Sequence, residues 1–177
     1  MTRTKLAMLA GLTALSATAV NAQESATSPI QLALVTPVQI VDASKAISGF
    51  RLDFIYGRNT YVVGLDIGLV NHTTSGVSQG LQWGLVNLNE AAFVGWQTGG
   101  VNIARNAFKG LQSGAVNSTG QGEGMQWGVV NVADFHNGLQ FGLVNYAESF
   151  HGLQIGLVNI IKQGGAFPVF PIVNWSF

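Results

Sequence analysis

An octapeptide, read from Gly152 to Asn159 as G-L-Q-I-G-L-V-N, recurs in about seven copies along this chain. The copies begin at Gly64, Gly80, Gly95, Gly110, Gly124, Gly138 and Gly152, so successive starts lie 14 to 16 residues apart. That period is too short for a helical hairpin, which excludes the helical repeat families. It holds one strand and one turn, or one coil of a narrow β-solenoid.

Within each copy the alternation has a period of two, the signature of a strand. One face carries Gly, Gln, Gly and Val. The other carries Leu, a variable residue, Leu and Asn; in the Gly80 copy these are Leu81, Trp83, Leu85 and Asn87. The variable position is Ile67, Trp83, Thr98, Ser113, Trp127, Phe141 and Ile155, mostly large and apolar. Turn-like clusters separate the copies at Thr73 to Ser75, Asn89-Glu90, Ser118 to Gly122, Asp134 to Asn137 and Glu148-Ser149.

The centre of the motif is nearly palindromic. Gln82 is flanked by Leu81 and Trp83, then by Gly80 and Gly84. An antiparallel neighbour paired Gln to Gln would keep Gly beside Gly and let the amides satisfy one another. An up-and-down meander needs that property, because alternate strands run backwards.

Charge decides the expected surroundings. Only 9% of the 177 residues are charged, against roughly 25% in ordinary soluble domains, and mean hydropathy is +0.32. Twenty-three residues are Gly and none is Cys, so disulfides do not hold this fold. Arg3 and Lys5, the apolar run Leu6 to Val20 and the small residues of Val20-Asn21-Ala22 read as a secretory signal cleaved after Ala22. The expected organisation is a signal peptide over 1–22 and a single β-repeat domain over 23–177. Without Arg3 and Lys5, six basic side chains face eight acidic ones, a net charge near −2, and nucleic acid is not an expected partner. After Val20 no apolar stretch is long enough for a membrane helix. An apolar surface without apolar helices points to a closed barrel.

Strand-like segments flank the copies at Ile30 to Val41, Ile47 to Gly57 and Phe167 to Phe177. Ile47 to Gly57 leads through Arg58-Asn59-Thr60 into the first copy and reads as a hairpin. The expected fold is all-β: an antiparallel up-and-down meander of about ten strands, closed as a small outer-membrane barrel with Leu and Trp towards lipid. Pro37, Pro168 and Pro171 count against smooth closure, because proline avoids ladder interiors; bulges or an open seam would follow. The alternative is a soluble β-solenoid, with the repeated Asn71 to Asn159 stacked as a corner ladder and Leu pointing inward.

The copies, with Leu32 to Gln39 (L-A-L-V-T-P-V-Q), Arg51 to Gly57 (R-L-D-F-I-Y-G) and Phe167 to Asn174 (F-P-V-F-P-I-V-N), resemble a family of uncharacterised bacterial surface-repeat proteins. The resemblance spans most of the mature chain. It implies an envelope or surface location and no particular activity.

Signs of catalysis are sparse. His72, His136 and His151 fall at or beside turns, without a second ligand at a metal-binding spacing. Asp134-Phe135-His136 with Ser149 makes no recognisable triad, and Gly120 to Gly124 lacks the strand-loop-helix context of a phosphate loop. No enzyme activity, cofactor or metal is expected. One cluster stands out: Arg51, Asp53 and Asp66 converge on the Gly/Gln face, Asp66 replacing the usual Gln. They form a structural ion pair or a lumen site for a small polar molecule. The expected role is non-enzymatic, structural or surface-binding, at the outer membrane of a Gram-negative bacterium, in contact with lipid. The alternatives are a secreted binding or adhesion scaffold and a lipid-acting barrel enzyme.

Overall fold

The computed structural model describes residues 27–177; the segment expected as a signal peptide, 1–22, lies outside them. The chain winds as a parallel β-solenoid of about nine turns. Its strands are β1 (Thr27–Val35), β2 (Val38–Gln39), β3 (Ala46–Asn59), β4 (Val62–Thr73), β5 (Val77–Asn89), β6 (Ala92–Phe141), β7 (Val144–Gln163) and β8 (Val169–Ser176). They form one sheet in the order β2-β1-β3-β4-β5-β6-β7-β8. The 50 residues of β6 run through several coils without a break in the ladder.

This overturns the antiparallel meander and the closed barrel. The segment expected as a hairpin, β3 with β4, pairs in parallel, Gly49 on Gly64, Arg51 on Asp66 and Gly57 on Asn71. The copies then stack in strict register, Gly64 on Gly80, Asp66 on Gln82 and Asn71 on Asn87, continuing into the next coil. The palindrome satisfied only the Gln position under antiparallel pairing. Parallel stacking places every residue of a copy over its equivalent, so it satisfies the Asn position as well.

The interior follows from that register. Buried Gln side chains form one column: each Nε2 donates to the Oε1 of the preceding coil, from Gln154 through Gln140, Gln126, Gln112 and Gln97 to Gln82, at 2.6–2.8 Å. Buried Asn side chains form a second column that donates the opposite way. Asn71 Nδ2 donates to Asn87 Oδ1, and so on to Asn159, each at 2.8 Å. The other Nδ2 hydrogen goes to a main-chain carbonyl one coil on, as from Asn102 to Ser113 O at 2.9 Å. Both hydrogens of each Asn amide from Asn71 to Asn145 thus find acceptors, which a buried amide requires.

Across from the amides the interior is apolar. Phe93 stacks on Phe108 with ring centres 6.1 Å apart, and His136 on Phe150 at 5.7 Å. Ala104, Ala133, Ala147 and Ile161 fill the remaining space. The solenoid alternative therefore holds in its architecture but not in its facing. Leu85 is 61% exposed, whereas Gln82 and Asn87 are fully buried. Inward positions run Gln82, Gly84, Asn87 and Asn89, so alternation slips by one at Leu85-Val86, where both side chains point out. The chain turns a corner there. Asn is an interior rung, not a left-handed corner residue.

Two glycines make the copy possible. Gly110 has φ +131°, and a side chain there would run into the Gly95 carbonyl of the coil below. Gly114 would drive a Cβ into the Gly99 carbonyl and to 2.7 Å from Asn102 Nδ2. The first glycine bends the coil; the second clears space for the Asn column.

The ends are closed separately. β2 folds back on β1 at one end, while β8 pairs antiparallel with β7 at the other, Gln154 facing Asn174. The prolines expected at a barrel seam belong to these two ends. An edge strand has free N–H positions where proline costs little, and proline there discourages further strand addition.

Replacing Asn102 with Leu removes the acceptor for Asn87 and the donor for both Asn117 and Ser113 O. The expected loss is about 3 kcal/mol or more, at roughly 1–3 kcal/mol per stranded buried group, read as a shift in denaturant midpoint. Gly110→Ala should cost several-fold more than Gly164→Ala. Gly164 also has positive φ (+77°), but its nearest Cβ neighbour is Ser176 Oγ at 3.8 Å. Only the backbone penalty, roughly 1 kcal/mol, is then expected.

Candidate functional site

The expected cluster of Arg51, Asp53 and Asp66 does come together. Arg51 Nε and Nη2 donate to Asp66 Oδ1 (2.6 Å) and Oδ2 (2.8 Å), and Nη1 donates to the His72 carbonyl at 3.1 Å. Asp53 Oδ2 lies 3.1 Å from Arg51 Nε. All three residues are buried. Gln82 Nε2 donates to Asp66 Oδ2 at 2.7 Å, so the whole Gln column ends, N–H first, on the Asp66 carboxylate. The cluster thereby terminates a file of aligned amide dipoles with an anion, and Arg51 balances that anion. Bidentate guanidinium geometry suits such a buried pair.

Asp53 occupies the place that later coils give to the second glycine, pairing with Gly68. Gly57 stands where an Asn would be, and a side chain at 57 would overlap the Asp53 carboxyl. Asp53 therefore takes over the rung below Asn71. Its oxygens lack a hydrogen-bond donor, and so does Asn71 Oδ1, the open acceptor of the Asn column. Burial pushes the Asp53 carboxyl up to about 7, against the pull of Arg51 and with the repulsion of Asp66. Protonated, it brings an O–H into the pocket beside Asn71.

The histidines have distinct settings. His136 is buried against Phe150, its Nε2 3.2 Å from the Gly124 carbonyl, and desolvation holds its pKa down to about 4. His151 packs edge-on against Phe177. His72 Nδ1 lies 2.7 Å from the Tyr56 hydroxyl and Nε2 3.3 Å from Glu90 Oε1, and Glu90 pairs in turn with Arg105 at 3.1 Å. Burial lowers the His72 pKa against the raising effect of Glu90. This chain of four spans four successive coils. Sequence reading placed His72 in a turn and missed it, since only the stacking register brings Tyr56, Glu90 and Arg105 around it. Among the described residues, no group of three His, Cys, Asp or Glu is placed to hold a metal ion.

The largest feature on the surface is the outer side of the octapeptide sheet. Trp83 and Trp127 are each 57% exposed, Leu157 is 65% exposed, and Leu69, Phe141 and Leu143 stand out beside them. Asp66 is the one charged residue within the seven copies, and it points inward. Charges gather on the segments between copies, in pairs such as Glu90–Arg105 and Lys109–Glu123 (2.8 Å). The solenoid is thus amphipathic in cross-section. A shallow groove of about 1090 Å³ runs along the apolar flank. Gly99, Gly114, Gly128, Gly142 and Gly156 form its floor, with the variable column on one side and the Ala115–Val129–Leu143–Leu157 column on the other. Thr98, Ser113 and Ala115 line it where other coils carry bulkier residues. Trp96 Nε1 donates to Ser113 Oγ there at 3.1 Å, and Ser113 Oγ donates to Thr98 Oγ1 at 2.9 Å.

Fold and flank together define a polar-cored parallel β-solenoid with one apolar outer side. Compared with family models, curated proteins and solved structures, the chain matches none.

The two buried titrating groups pull stability in opposite directions with pH. Below pH 6.5 unfolded His136 takes a proton that the folded chain refuses until about pH 4, so stability falls over that window. Below pH 7 folded Asp53 takes a proton that the unfolded chain accepts only near 3.8, so stability rises from pH 7 to 4. Each effect amounts to about 3–4 kcal/mol, and they largely cancel. His136→Phe should therefore raise the melting temperature progressively on acidification from pH 7 to 4.5, relative to wild type. Asp53→Asn should lower it over the same range. Parallel melting curves for both variants and wild type would contradict the pair of assignments.

Proposed function

We propose that the mature chain is an exported, non-catalytic binding scaffold that docks its apolar flank on another apolar surface at the bacterial envelope. The observation that carries this reading is the inversion of the repeat: the Gln and Asn of each copy face the interior while its Leu, Trp and Phe line the outside. An exposed apolar area of this extent exceeds the few hundred Å² usual on soluble monomers and marks a contact surface. The leader-like segment at Arg3 to Ala22 supports export. The resemblance to surface-repeat proteins supports an envelope location.

A scaffold accounts for the features better than an enzyme does. His136 is sealed in the interior, His72 is tied to Tyr56 and Glu90, and His151 stands against Phe177. The groove beside the Trp and Leu columns offers shape and apolar contact, with the Thr98 and Ser113 hydroxyls as its polar points. Nucleic acid is not proposed as a partner, because the mature chain is net acidic.

Leu85 and Leu143 both point out of the flank, so Leu85→Lys with Leu143→Lys should leave thermal unfolding within a few degrees of wild type. The same double variant should lose retention in the envelope fraction of lysed cells. Wild-type fractionation of a folded double variant would sink the proposal.

A further inference from the structure

We infer that the occupant of the apolar flank is a second copy of this chain, packed face to face about a two-fold axis that lies in the plane of the flank, along the strands, between the coils of Ser113 and Trp127. The inference rests on the flank being a contact surface and goes further by naming what covers it. It is carried by the order of large and small side chains along the solenoid. The variable column reads Trp83, Thr98, Ser113, Trp127, Phe141 and Ile155, and the column beside it Leu85, Gly100, Ala115, Val129, Leu143 and Leu157.

A two-fold axis reverses the order of coils in the partner. With the axis between the Ser113 and Trp127 coils, Trp127 of each copy meets Ser113 of the other and Val129 meets Ala115. One coil further out, Phe141 meets Thr98 and Leu143 meets Gly100. The four coils nearest the axis thus pair bulky over small, the outermost pair sets Ile155 against Trp83 and Leu157 against Leu85 as apolar contacts, and the relation is reciprocal, as an isologous interface requires. Moving the axis by half a coil towards Thr98 sets Ser113 against itself. Moving it a full coil that way sets Trp83 against Trp127 and leaves the small residues Thr98 and Ser113 facing each other.

Area and charge agree with a second copy. About nine coils at roughly 4.8 Å spacing, and a strand about six residues wide, give a flank of roughly 800 Å². That is close to what one partner contributes to a stable standard-size interface, roughly 800 Å². The outward side chains of the copies carry no charge, so bringing two flanks together buries no ion. The charged segments between copies stay on the far sides in water.

The test is the mass of the full exported chain by sedimentation equilibrium in detergent-free buffer, for wild type and two variants. Ala115 is exposed, so Ala115→Phe should fold with an unchanged melting curve. It places a ring against Val129 of the partner, twice per dimer, and should weaken dimerisation roughly a hundredfold. Adding Val129→Ala to Ala115→Phe re-creates the large-over-small pairing with the sizes exchanged and should restore the dimer. Equal self-association of wild type and Ala115→Phe, or no recovery in the double variant, would overturn the inference. A monomeric wild type that binds vesicles of phosphatidylethanolamine and phosphatidylglycerol would overturn the second copy and leave the apolar flank as a docking surface. A monomer that binds no such vesicles would overturn both.

Discussion

The structure depends on the requirement that a buried primary amide place both its hydrogens and its oxygen. A column of Asn or Gln does this when each coil repeats the one beneath it, because the acceptor of one amide then faces the donor of the next. Any slip would leave amides in a dry interior at roughly 1–3 kcal/mol each. The ladders therefore hold the coils in register, and the register in turn produces the flat outer columns. Bend, floor and flank all follow from one copy that satisfies its own repeat.

The two columns run in opposite senses, Gln donating towards the first coil and Asn towards the last. The first coils handle the resulting ends with Arg51, Asp53 and Asp66, the buried Arg and Asp side chains among the described residues. Asp66 receives the terminal Gln82 amide, Arg51 neutralises Asp66, and Asp53 stands in for the missing Asn beneath Asn71. At the far end β8 lays Asn174 beside Gln154, with Pro171 within it and Pro168 just before it both exposed. A solenoid needs such caps, since its terminal coils would otherwise expose open ladders.

Polar groups inside leave the apolar residues of the copy nowhere to go but out. An ordinary globular fold buries Leu and exposes Gln. Here each strand gives its inner positions to Gly, Gln and Asn, which are compact enough for a narrow coil and can bond along its axis. Leu, Trp and Phe then form the flank, and their burial must come from outside the chain. The low charge has this origin: among the described residues, the charges lie on the segments between and flanking the copies and in the capping cluster.

The sequence by itself determined the strand, the repeat, the alternation that turns Trp83 and Leu85 away from Gln82, and the gathering of Arg51, Asp53 and Asp66. All of these are local or periodic properties, written in spacing. The direction of the neighbouring strand was not determined, because Gly-Leu-Gln-Trp-Gly reads alike both ways and hydrogen-bonds to either a parallel or an antiparallel partner. Tertiary structure decided it through the Asn, which lies outside the palindrome and finds its equivalent only in a parallel coil. The same choice decided the corner at Leu85-Val86, the shared setting of Tyr56, His72 and Glu90, and the groove over Ser113. The last two join residues about one coil or more apart, and only the stacking of coils brings them together.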